Sequence, residues 1–559
     1  MKKFVFGIFL LVTLAVLAAC GGGSSTTPSD ASGTAGATTA SIKEGGLFRM
    51  GTISGPDTIN PFVAFAAISY VMFTETYPTL VQYDEEFKIT GDWAESWETS
   101  ADGKTWTFKV KPGGKWSDGR PLTAKDAAYT GNLIIKYAAG PTATLAPFLA
   151  NAVKVEAPDD TTVVITYEKP VANVLAQLQQ FFIMPQHVLE PIAGSDGKGL
   201  AKWAPEKALP IVGGGAFYIK QYDKKGTIIL ERNPGYYNTP PHLDAIGITI
   251  YQNADAMLAA LKSGQLDTVD TVPPTLAKQY EADPNYQVQI GDSTFVYDIG
   301  FNSNPKKTDN KELLDPKVRE ALAHAVDRDQ IIATVLNGYG APATTMFTPI
   351  SGDFANTDLP PETYDLALAN QLLDDAGYAR GADGTRKTSA GEKMEYEVII
   401  PEDVEGVDRL FEILKTSWAE VGVNITQKRL DSTAAFEAIG APDFKYLEFD
   451  IMLWDWVGYI DPDFMLSVVM CNQYGGWSDT AYCNPDYDKL YKEQGLAMDP
   501  AERKKIVWKM QEILYQDKPY IQVAQKKSIT AYTKNWGGLT PPFLTGMSKI
   551  PWDSLHQIG

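Results

Sequence analysis

The chain has 559 residues, 44% of them hydrophobic, with 69 acidic against 49 basic side chains and a formal net charge of −20. That length implies about three domains at about 150 residues each. The charge argues against nucleic acid and anionic bilayers as partners of the folded part, since both repel an acidic surface, and no repeat of about 20–50 residues points to a solenoid or propeller.

In chain order, residues 1–20 read as an export signal. Lys2 and Lys3 precede an apolar run from Phe4 to Leu17, and the small residues Ala18 and Ala19 stand before Cys20. The run is too short to span a bilayer and carries a cleavage-type end. Leu17-Ala18-Ala19-Cys20 resembles the lipobox of bacterial lipoproteins, which implies that Cys20 is lipidated and becomes the new N-terminus. The expected localisation is therefore the extracytoplasmic face of the cell membrane. Residues 21–43, rich in Gly, Ser, Thr and Ala, have too few apolar side chains to offset the entropy of ordering them, and they read as a flexible tether of about 25 Å.

Thr105 to Val110 alternates apolar and polar residues, the period of a half-buried strand, and Lys111-Pro112-Gly113-Gly114 then forces a turn. Further strands are expected at Val163–Tyr167, Gly215–Lys220 and Gly226–Arg232. Asp315-Pro316 and Asp499-Pro500 each supply an N-cap followed by a proline suited to the first helical turn. The first of these helices carries Val318, Ala321, Leu322 and Ala325 on its inner face; the second is expected to carry Ile506, Met510, Ile513 and Leu514. Short strands alternating with amphipathic helices predict an α/β fold.

Cys471 and Cys483, separated by eleven residues in an oxidising compartment, are expected to form a disulfide. His187, His242, His324 and His556 are too scattered to suggest a metal site, and no cofactor is expected. The sequence contains no P-loop, nucleophile elbow or H-E-x-x-H motif. Gly213-Gly214-Gly215 precedes a strand and not a helix, so it reads as a close backbone approach. Asp455, Asp461 and Asp463 could serve as the acid and base of a glycosidase; Asp residues beside Pro462 are more commonly turn formers, and no catalytic residue is assigned.

The stretch from Ala94-Glu95-Ser96-Trp97 through Trp116-Ser117-Asp118-Gly119 to Asp126 is similar to the solute-binding proteins of bacterial ABC importers in the oligopeptide and dipeptide group, family 5. Leu230-Glu231-Arg232-Asn233-Pro234-Gly235-Tyr236-Tyr237, Asp461-Pro462-Asp463 and Tyr482-Cys483-Asn484-Pro485 follow in the family's order. The resemblance implies a periplasmic-binding-protein-like clamshell of two lobes and three domains (type II, oligopeptide-binding class). Domain I would comprise residues 44–79, 208–300 and 527–559, domain II 80–207, and domain III 301–526. It also implies a monomer that captures an extended solute, first of all a peptide, between its lobes and passes it to an ABC permease. An oligosaccharide receptor of the same fold is the alternative.

Carried over by position, one ligand-binding edge is Trp456-Val457-Gly458 with Trp454, Tyr459 and Asp461 beside it, and the opposing loop is Phe65, Ala66 and Ala67. The resemblance implies that many peptide-binding members place an Asp shortly before the D-P motif to pair with the peptide's free α-amino group. Here Gly458-Tyr459-Ile460 occupies that stretch, leaving Asp455, Asp461 or Asp463 as substitutes.

Overall fold

Thr105–Val110 forms the alternating strand, with Trp106, Phe108 and Val110 buried. The computed structural model describes residues 42–64, 66–402, 404–538, 552 and 554–559; Cys20, the export signal and the tether as far as residue 41 lie outside the described residues. Ile42 and Lys43, assigned to the tether by composition, instead pair with Ile558 and Gln557.

Thr105–Val110 sits in a four-stranded antiparallel sheet, between Ala94–Thr99 and Thr162–Tyr167, with Ala152–Asp159 outermost. Helix Ala124–Lys136 packs on it so closely that a Cβ on Gly131 would stand 2.5 Å from Val155. A seven-stranded mixed sheet draws on distant parts of the chain, in the order Tyr286–Gly291, Ser528–Thr533, Thr268–Val269, Leu47–Thr52, Ala245–Ile250, Thr227–Arg232 and Phe217–Gln221. A six-stranded sheet runs Gly340–Pro342, Tyr520–Lys526, Phe295–Phe301, Ile451–Val457, Glu395–Pro401 and Asn424–Leu430. Two short connections pass between these sheets, at residues 292–294 and at Lys527, and the Lys527 ammonium pairs with Asp292.

The triple glycine is a close approach. The Gly214 and Gly215 N–H groups donate to Thr76 O at 2.9 and 3.0 Å, and a Cβ on Gly215 would stand 2.1 Å from Glu75 O. Asp315 caps helix Pro316–His324 by accepting from Lys317 N–H at 2.9 Å, and Asp499 caps Pro500–Asp517 by accepting from Glu502 N–H at 2.9 Å. The second helix is turned from its expected orientation: Arg503, Val507, Met510 and Gln511 are its buried residues, while Ile506, Ile513 and Leu514 are half-buried. Two polar side chains can face inward because each has partners there, Arg503 in Asp461 and Gln511 in the backbone carbonyls of Phe354 and Val507. Among the described residues no helix is long and apolar enough to cross a membrane.

Candidate functional site

Strand Ile451–Val457 runs through both tryptophans. It pairs antiparallel with Phe295–Phe301 along its whole length, but its parallel partner Glu395–Pro401 meets it only at Ile451 and Met452. From Leu453 onward the sheet therefore continues on one side alone. The strand ends where Gly458 N–H donates to Thr294 O at 3.1 Å, and the chain then passes through Tyr459 and Ile460 to Asp461-Pro462 and the short helix Asp463–Ser467.

Facing this segment is the loop after Asn60. Asn60 is fully buried and donates from Nδ2 to Leu200 O and Trp203 O at 2.8 and 2.9 Å, while its Oδ1 accepts from Phe62 N–H. Asp57 accepts from Ala66 N–H at 3.2 Å and from Ser69 Oγ–H at 2.8 Å, which fixes the start of helix Ala67–Thr76.

Between the two segments lies a cavity of about 630 Å³. Ala64, Ala67 and Tyr70 border it from one side, Phe148 and the amides of Asn173 and Gln177 from a second, and Tyr459, Asp461, Phe464, Trp477 and Tyr491 from the third. That volume is within the ordinary range of small-ligand sites. Of the residues proposed from sequence, Ala67, Tyr459 and Asp461 line it. Ala66 is half-buried beside it, and Phe65 lies outside the described residues. Trp454 and Trp456 are not among the lining residues; two apart in one strand, they share a face and both pack against the cluster around Met452, Met465 and Tyr520. Trp456 Nε1 donates to the buried Asp479 at 3.0 Å, and its ring meets Phe464 edge-on with centroids 6.3 Å apart. Val457 is exposed and Gly458 buried, at and just beyond the strand's end.

The charges at the site are internally compensated. Asp461 accepts two hydrogen bonds from Arg503, at 2.6 Å (Nη1) and 2.8 Å (Nη2), and both side chains are largely out of solvent. Asp463 accepts from Gln494 Nε2 at 2.6 Å, and burial followed by the neighbouring Asp461 raises its pKa. Burial, then the Tyr459 hydroxyl across the cavity, raises the Tyr70 pKa. Lys, Arg and His are absent from the cavity lining among the described residues. Cys471 and Cys483 are joined in a disulfide, and the loop it closes carries Trp477 to the cavity. Sequence reading missed Trp477, Phe464, Tyr70 and the 173–180 amides; the one available signal was the pair of cysteines bracketing a tryptophan. Among the described residues no group of three or more His, Cys, Asp or Glu side chains could hold a metal ion.

Residues 88–477 match the model of the bacterial extracellular solute-binding proteins, family 5 Middle. A Brucella ovis protein named for ABC-transporter peptide binding is 31% identical over 390 residues, covering 68% of this chain and 69% of the relative. The glutathione-binding protein of Escherichia coli K12 is 26% identical over 493 residues, 86% of this chain and 89% of its own. The oligopeptide-binding protein AppA of Bacillus subtilis, solved in complex with a nonapeptide, has a TM-score of 0.75 at 23% identity, covering 93% of this chain and all of that one.

Proposed function

The chain belongs to the bacterial extracellular solute-binding proteins of family 5, a binding protein and not an enzyme, and from that premise we propose that it captures an extended peptide in the cavity and delivers it to an ABC permease. The observation that carries this reading is the strand Ile451–Val457, paired on one side only beyond Met452 and leading directly to Tyr459 in the cavity wall. An extended peptide laid along such an edge gains main-chain hydrogen bonds whatever its side chains, the economy of strand addition. The Brucella relative and the nonapeptide complex of AppA support the same ligand class. A second reading, an oligosaccharide receptor, draws support from the rings of Tyr70, Tyr459 and Trp477 beside the amides of Asn173 and Gln177.

The three-domain division is part of the proposal and is supported by the segregation of most strands into three sheets. So is a lipid on Cys20, which would hold a monomer at the membrane close to its permease. Mass spectrometry of the native protein, followed by thermal shift with peptide and oligosaccharide pools, tests the ligand class. A peptide should co-purify or raise the melting temperature; stabilisation by oligosaccharides alone would transfer the assignment to the second reading. Cys20→Ser should release the protein from membranes with ligand affinity unchanged, and continued attachment would refute the anchor.

A further inference from the structure

Of the twelve tryptophans, Trp477 alone is exposed, at 57%. A large ring left in solvent beside a cavity is a feature to be explained, because burying it elsewhere would be favourable. Its loop is not slack. The disulfide joins residues 471 and 483, Gln473 accepts the backbone N–H groups of Gly476, Trp477 and Ser478, and Tyr446 Oη donates to Ser478 O at 2.8 Å while accepting from Gly475 N–H at 3.1 Å. The Phe464 ring packs nearly perpendicular to Trp477 with centroids 5.3 Å apart and to Tyr459 with centroids 5.0 Å apart, so the indole is tied to the ring cluster of the cavity wall.

We propose that the disulfide-closed loop 471–483 is a ligand-gripping element that presents Trp477 as a stacking platform for an uncharged aromatic side chain of the bound peptide. The proposal rests on the peptide reading above. Preference for an uncharged group follows from the surroundings: Asp461 is held by Arg503, Asp463 is buried against Gln494, and no other charged side chain lines the cavity among the described residues. A rigid platform loses little freedom when a ring settles on it, so the stacking gain appears as affinity.

The test titrates the full chain with doubly blocked tetra-alanine peptides in which Phe, or Lys, replaces Ala at each position in turn, using calorimetry and tryptophan fluorescence. At one position Phe should improve affinity over Ala by about tenfold, with a fluorescence change, and Lys should not. Trp477→Ala and Trp477→Leu should abolish the Phe preference, whereas Trp477→Phe should keep most of it and lose only the fluorescence change. The Cys471→Ser/Cys483→Ser variant should weaken the Phe preference, and a preference of full size in that variant would overturn the part given to the disulfide. A Phe preference that persists in Trp477→Ala overturns the platform and leaves the receptor reading standing. Failure of the wild type to bind any of the peptides overturns the peptide reading and the platform with it.

Discussion

Replacing Asp461 by Asn removes one partner from a buried pair and tests what that carboxylate is for. The Arg503 guanidinium reaches it through two bonds of 2.6 and 2.8 Å, with side-chain exposures of 5% and 14% for Arg503 and Asp461. Breaking such a pair from one side costs about 3–5 kcal/mol, because the remaining charge stays buried without compensation. Asp463 lies close enough to Arg503 to relieve part of that cost, which places Asp461→Asn near the lower end, about 3 kcal/mol. Arg503→Met leaves two neighbouring carboxylates facing each other and belongs near the upper end, about 5 kcal/mol. The double variant should lose less than the sum of the two single variants. Urea unfolding at neutral pH measures all three. If Asp461→Asn instead costs under about 1 kcal/mol and selectively weakens peptides with a free amino terminus, the aspartate is a ligand anchor and the compensated-site reasoning fails.

Asp479 is buried where it accepts from Trp456 and Tyr520, and burial pushes its pKa up to about 6. A carboxyl whose folded pKa exceeds its unfolded value binds extra protons in the native state, so its contribution to stability falls as pH rises from about 4 to about 6 and the cost persists above that. The gap between 3.8 and about 6 is worth up to about 3 kcal/mol, and Asp479→Asn should flatten the pH dependence of the urea midpoint across this window; parallel profiles would refute the assignment. Gly215→Ala should cost about 3 kcal/mol or more, since its Cβ would meet Glu75 O at 2.1 Å. Gly247→Ala, whose Cβ would make only ordinary side-chain contacts from 3.5 Å outward, is the control and should cost far less.

Local grammar made much of the fold legible. The alternation of Thr105–Val110, the capped starts at Asp315 and Asp499, the close approach at Gly213–Gly215 and the cysteine pair each depend on residues near one another in sequence. The site was only partly legible, because its character depends on meetings across long stretches of chain. Nothing around Asp461 announces that Arg503, 42 residues later, neutralises it, and nothing in 173–180 marks those amides as facing Tyr459. The turned helix Pro500–Asp517 has the same cause: apolar periodicity assumes that polar residues face water, and Arg503 and Gln511 do not. Trp454 and Trp456 attract attention by residue type, yet strand alternation puts both on a face already filled by neighbouring side chains.

The placement of the last long strands has a consequence for how the chain is made. Ser528–Thr533 lies between Tyr286–Gly291 and Thr268–Val269, and Tyr520–Lys526 between Gly340–Pro342 and Phe295–Phe301. In a chain emerging N-terminus first, the six-stranded sheet keeps an internal gap until residue 526 is available and the seven-stranded sheet until residue 533, whatever has already collapsed around them. Closure of the two large sheets is therefore a late event with long loops to close, and such non-local pairing is slow. A truncation before residue 520 would leave a gap inside each of the two large sheets, with unpaired strand edges on both sides of it that are prone to wrong partners.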